Sequence, residues 1–156
     1  MERKQHDPFI PTLTLGKLLA FDPEKPETRL GSDFVNHFLR VFLRERAPRI
    51  EPIAEIMEMD RRTVAAALRA ETGLTFRQWR EHWEVFEWSL YLYAHGKHYD
   101  HDDLARHLGY YDNSSLWRFK TSARYKKLRD LHNSLSKTDP DYIRALQLGM
   151  ARMQPI

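Results

Sequence analysis

Residues 59–80 read MDRRTVAAALRAETGLTFRQWR, and this run decides the fold. Asp60 is a side chain suited to accept from the free amides of a helix start. Val64 and Leu68 then fall on one helical face, and the helix runs through Glu71. Thr72 and Gly73 stop it by the left-handed C-terminal route. Thr75 begins a second, long helix that reaches about His95 and Gly96, with Trp79, Trp83, Phe86, Leu90 and Tyr93 recurring at spacings of four and three. That stripe reads as core. Val85, Trp88 and Leu92 form a second stripe on the opposite side. The long helix is therefore packed between two bodies, or between its own body and a partner, with packing against the rest of the chain the favoured reading.

Upstream, Ser32 and Asp33 lead into Phe34, Val35, Phe38, Leu39 and Phe42, an apolar stripe at helical spacing over about 33–46 that closes before Pro48. Pro52 suits the first turn of a short helix carrying Ile53, Ile56 and Met57, which ends at Met59 and Asp60. The short helix and the one after Asp60 make a helix-turn-helix candidate. Downstream the arrangement recurs. Asp102 and Asp103 lead a short helix with Leu104, Ala105 and Leu108, Gly109 follows, and Asp112 caps a helix carrying Leu116 and Phe119. The period is about 50 residues, the long aromatic helix is the connector, and the letters of the two units hardly match, so the duplication is one of architecture. Residues 124–135 extend helically. Asp139 and Pro140 start a terminal helix through Met153 with Ile143, Leu146 and Met150 on its apolar face, facing either the body or a partner. Residues 1–31 hold Pro8, Pro11, Pro23 and Pro26 around one helix-permissive piece, 15–21, and read as an arm. The expected architecture is all-α: arm 1–31, two helix-turn-helix units within 32–131, and a helical extension 132–156.

Composition narrows the chemistry. The chain has 156 residues, 42% hydrophobic and 30% charged, enough for one domain with arms rather than a multidomain enzyme. No cysteine is present, so disulfides, thiolate nucleophiles, iron–sulfur clusters and Cys-ligated zinc are excluded. No apolar run approaches the ~20 residues of a bilayer span, and no signal peptide opens the chain; a cytoplasmic protein without a membrane partner is expected. A net charge of +3 only permits a nucleic-acid partner, so placement decides.

Within 117–129 lie Arg118, Lys120, Arg124, Lys126, Lys127 and Arg129, with no acidic residue. Basic runs are most often solvated helix faces. These, however, sit on and after the second candidate recognition helix, where phosphates would need them. With Val64 and Leu68 inward, Arg62, Ala66 and Arg69 face out from the first candidate, with Arg61 and Thr63 in its first turn. With Leu116 and Phe119 inward, Ser114, Trp117, Arg118 and Thr121 face out from the second. Arginine reads guanine bidentately, and an Ala methyl contacts thymine or admits close approach. An outward Trp117 suits stacking, groove contact or a protein interface.

The run 59–80 resembles the first helix-turn-helix of the AraC/XylS transcription regulators. Asp60 stands for the family's capping Ser, and Arg62, Thr63, Glu71, Thr72, Gly73 and Phe76 fall in register. Residues 103–110, DLARHLGY, with Ser114, Ser115, Leu116, Trp117, Arg118, Phe119 and Lys120 after them, resemble the second unit. The resemblance covers about 33–130. It implies a sequence-specific double-stranded DNA-binding transcription regulator. Arg62, Ala66, Arg69, Ser114, Trp117 and Arg118 are then expected at base edges, and Arg61, Thr63, Asn113, Lys120, Thr121, Arg124, Lys126 and Lys127 at phosphates. Ala66, Ala67 and Ala70 replace the family's frequent basic residues, Leu116 and Phe119 stand three apart rather than four, and the usual Gly-x-Ser-Pro is missing. Thirty-one N-terminal residues are too few for the family's sensor domain, so no small-molecule effector is expected. RNA polymerase or another regulatory protein is the expected protein partner, and control is expected either from the chain's own abundance or from a partner touching 1–31 or 139–153. The alternative is a protein-interaction adaptor that keeps the fold and binds through the Trp88 face, the arm or the terminal helix.

Rival chemistry has less support. His95, His98 and His101, interleaved with Asp100, Asp102 and Asp103, are metal-ligand types without a recognised ligand spacing, so no metal and no cofactor are expected. His82 and His107 read as half-exposed structural positions. Ser114 and Ser115 lack a base, an oxyanion site or a nucleophile elbow, and no glycine-rich phosphate loop exists; no enzymatic activity is expected.

Overall fold

A computed structural model describes residues 13–46, 49–96, 100–110 and 114–153. Among them the regular structure is helical, without strands: α1 (Leu15–Ala20), α2 (Asp33–Glu45), α3 (Ile50–Ile56), α4 (Arg61–Thr72), α5 (Phe76–His95), α6 (His101–His107), α7 (Ser114–Lys120), α8 (Ala123–Thr138) and α9 (Pro140–Met153), with one 3-10 turn at Pro26–Thr28. The all-α expectation holds.

The local signals work as their chemistry dictates. Ser32 accepts from the Val35 amide, and Asp60 from that of Arg62. Thr75 and Gln78 form a reciprocal capping box at the start of α5. Gly73 takes φ +78° to close α4, where an L side chain would be strained. One cap differs from expectation. Asp100, not Asp102 or Asp103, caps α6, its carboxylate accepting from the amides of both residues, while Asp103 pairs with Arg106.

α5 is the axis of the core, and every residue from Glu81 to Trp88 is buried. Phe42 of α2 meets Trp79 at 5.6 Å and Trp83 at 5.9 Å between ring centroids, and Phe86 meets Tyr142 of α9 edge-on. On another side Trp88 packs on Tyr125 of α8, so the second stripe is indeed internal. Tyr93 departs from the expected core stripe: it is 65% exposed, at the surface beside Tyr142 and Leu146 of α9.

Residues 15–30, expected as an arm, belong to the body. Leu18, Leu19, Ala20 and Phe21 are buried, and α1 packs along α9. Proline spacing predicted a break in regular structure but carried no information on what the intervening helix touches. α9 itself is rotated from expectation: Tyr142, Ala145 and Gly149 face inward while Ile143 stays exposed. Two small residues let α9 approach closely, which outweighs the burial of a branched side chain. The two ends of the described chain thus meet, and α9 also covers α5.

Candidate nucleic-acid interface

Two turns in the chain have one backbone design. Leading out of α3, the amide of Met57 donates to Ile53, that of Glu58 to Glu55 and that of Met59 to Ala54. Leading out of α6, Leu108 donates to Leu104, Gly109 to Arg106 and Tyr110 to Ala105. Each donor and acceptor is displaced by 51 residues. The helix-ending residues, Met57 and Leu108, are both right-handed with ψ near zero, and the next ones, Glu58 and Gly109, have φ +55° and +90°. The inward sets match as well: Ile53, Ala54 and Met57 against Leu104, Ala105 and Leu108, all buried.

The helix after the first turn, α4, buries Val64 and Leu68 and exposes Arg62, Thr63, Ala66 and Arg69, with Arg62, Ala66 and Arg69 along one outward face. Arg61 is exposed too, but its guanidinium is engaged by Glu51 of α3 at 3.0 Å. The helix after the second turn, α7, buries Leu116 and half-buries Phe119. Ser114 and Arg118 are exposed, and Trp117 is 52% exposed. Lys120 is not a free surface cation: its ammonium lies 4.3 Å from the ring centroid of buried Trp88 and 5.1 Å from that of Trp117, and burial depresses its pKa, helped by Arg129. The Thr121 hydroxyl donates to the carbonyls of Trp117 and Arg118, where α7 ends. Lys126 and Lys127 are exposed on α8. Asn113, Asp112 and His98 lie outside the described residues.

A row of buried carboxylates holds this second half on the connector. Glu81, Glu84 and Glu87 of α5 are spaced three apart and nearly solvent-free. Glu81 Oε2 takes Arg124 of α8 at 2.7 Å and Arg77 of its own helix at 3.5 Å. Glu84 accepts from the Tyr110 hydroxyl and pairs with Arg80 at 3.3 Å. Burial pushes its carboxyl up to about 7, against the pull of Tyr110 and Arg80. Glu87 meets His107 of α6 at 2.8 Å and Arg152 of α9 at 4.0 Å. In each pair the carboxylate is the buried member and its partner is partly exposed, so losing the partner leaves a buried charge uncompensated. Arg124, expected at a phosphate, is therefore first of all a structural anchor.

Nor are the two histidines both half-exposed. His82 is buried, its Nδ1 lying 3.0 Å from Nε2 of His132, whose Nδ1 meets the Tyr142 hydroxyl, so the three groups tie α5, α8 and α9 together. Burial, with His82 and Arg129 nearby, depresses the His132 pKa to about 3. His107 is partly buried and touches Arg46 as well as Glu87. Among the described residues no His, Asp or Glu group has the arrangement of a metal site, and no helix is long and apolar enough to cross a membrane.

The i,i+4 pairs Arg77–Glu81 and Arg80–Glu84 were legible as spacing. That Arg124, Tyr110 and His107 come to the same carboxylate row required the fold. No protein-family model, curated protein or solved structure matches the chain.

Proposed function

We propose that the chain is a cytoplasmic, sequence-specific double-stranded DNA-binding transcription regulator of AraC/XylS type, with α3–α4 and α6–α7 as two helix-turn-helix units. One observation carries the reading: the same turn, hydrogen bond for hydrogen bond, precedes both α4 and α7, and each of these helices exposes arginine on its outer side. α4 and α7 would enter successive major grooves, about 34 Å apart, on one side of the duplex. Arg62 and Arg69, with Ser114, Trp117 and Arg118, meet base edges, and Ala66 admits close approach. Arg61, Thr63, Thr121, Lys126 and Lys127 steady the backbone. The two faces differ, so the site is asymmetric and a monomer suffices to bind it. The test is a fluorescence-anisotropy titration with pooled random duplexes at two salt concentrations, followed by sequencing of the bound fraction. Steep salt dependence and an enriched asymmetric motif spanning two helical turns are expected; absence of binding at low salt would end this reading.

A second reading, a protein-interaction adaptor on the same fold, is favoured by the engagement of Arg61 with Glu51 and of Arg124 with Glu81. It predicts a stable heterocomplex and little salt-dependent DNA affinity.

A further inference from the structure

Between the N-terminal half of α5 and the α7–α8 corner opens a cleft of about 400 Å³, lined on its charged side by Arg77, Arg80, Arg118 and Arg124 around Glu81. Ser115, Ser122 and Tyr110 supply hydroxyls to the same wall. Neither Arg77 nor Arg80 of α5 was among the residues expected to contact DNA. The single Glu81 oxygen that takes both Arg77 and Arg124 joins two guanidiniums from different helices at one point. Arg124 is further seated over the Phe119 ring at 5.9 Å. Glu81 is almost fully enclosed, whereas the Arg77 and Arg124 side chains remain 67% and 50% exposed. Their inner edges are thus spent on the carboxylate and their outer edges face the cleft. Four guanidiniums stand there against two carboxylates, one of which, Glu84, lies beneath Arg80.

We propose that this cleft is a phosphate-binding site, built on the connector helix, with Glu81 as the residue that positions its arginines. Guanidinium forks match phosphate oxygens bidentately, and exposed Ser115 adds a hydroxyl, while those of Tyr110 and Ser122 are spent on Glu84 and on the Phe119 carbonyl. The inference rests on the DNA reading for its preferred ligand, a backbone phosphate lying between the segments read by α4 and α7. A free phosphorylated small molecule offers the same chemistry. On the DNA reading the connector helix is itself part of the interface, and Arg118 serves the backbone as well as the groove.

The test uses the full chain and two probes, a duplex and inorganic phosphate, with the arginine Nε–H signals followed by NMR and duplex affinity by anisotropy. Both probes are expected to move the Arg77 and Arg118 signals. Arg77→Gln should lower affinity for cognate and random duplexes alike by roughly tenfold and reduce the salt slope by about one unit. Glu81→Gln is the sharper variant. It raises the net charge by one, so simple attraction predicts tighter binding, whereas loss of positioning predicts weaker binding. Arg77→Gln leaves the buried carboxylate its Arg124 partner and keeps the test readable if Glu81→Gln does not fold. Duplex binding with an unchanged slope in Arg77→Gln would overturn the cleft and leave the DNA reading standing. Signals that move with phosphate while no duplex binds would end the DNA reading and keep the cleft as a site for a phosphorylated small ligand. Signals that move with neither would overturn the proposal.

Discussion

A Cβ on Gly16 would lie 2.6 Å from the backbone nitrogen of Tyr142, so α1 and the first turn of α9 meet backbone to backbone. Further atoms of Asp141 stand within 3 Å of the same point. The contact fastens the two ends of the described chain to each other and, through α9, to the connector helix.

Gly16→Ala should therefore destabilise the protein by about 1–3 kcal/mol, despite the better helix propensity of alanine, because neither neighbouring backbone can yield without moving a helix. Gly149→Ala is the control. Its Cβ would meet only side-chain atoms of Leu90, Cδ1 at 2.6 Å and Cδ2 at 3.0 Å, rather than a backbone, so the loss should be smaller. Thermal melts of both variants check the order; an unchanged melting temperature for Gly16→Ala would contradict the close approach.

The turn after α3 has Glu58 at φ +55° where the turn after α6 has Gly109. A non-glycine residue in the left-handed region costs roughly 1–2 kcal/mol, offset in part by the greater chain entropy that glycine loses on folding. Glu58→Gly should thus stabilise by up to about 1 kcal/mol. Gly109→Ala should destabilise by a comparable amount, and urea titrations of the pair would show opposite shifts of midpoint.

His132 and Glu84 oppose each other in pH dependence. The His132 ring is held neutral down to about 3 by its burial beside His82, Tyr142 and Arg129. Below its ordinary pKa of 6.5 the unfolded chain takes up the proton first, so stability falls with falling pH. The Glu84 carboxyl, pushed up to about 7 beside Arg80, Tyr110 and Glu81, contributes stability that is fully present below 4.5 and lost as pH rises through 7. Between pH ~7.5 and ~5 each effect is worth about 2 kcal/mol, with opposite sign. Glu84→Gln should expose the histidine loss, the variant weakening by about 2 kcal/mol relative to wild type on acidification. His132→Gln should show the converse. Chemical denaturation at the two pH values measures both, and parallel pH profiles for all three proteins would refute the assignment.

On the DNA reading, Arg62 and Lys126 separate base from phosphate. Arg62→Ala should cost about 1–3 kcal/mol on the cognate duplex and relax preference at one position. Lys126→Ala should weaken all duplexes about equally and lower the salt slope by about one. Equal losses on cognate and random DNA for both variants would remove Arg62 from the base edges.

What the amino-acid order determined by itself is local. Ser32, Asp60 and Thr75 cap their helices because a side-chain oxygen two or three residues from a free amide needs nothing beyond its own segment. Gly73 ends α4 for the same kind of reason, and Val64 and Leu68 face inward because 3.6 residues make a turn. The outward set Arg62, Ala66 and Arg69 follows from that period, so the first half of the candidate interface was readable. The carboxylate row was half readable. Arg77 and Arg80 sit one turn before Glu81 and Glu84, yet nothing near position 81 in the chain announces Arg124, and nothing near 87 announces His107 or Arg152. Those partners, the burial of α1, and the turn of α9 toward Tyr142 rather than Ile143 were decided by tertiary packing. The physical reason is that burial and charge pairing depend on which surfaces are brought within a few ångströms, and for these residues the nearest surface is supplied by another helix.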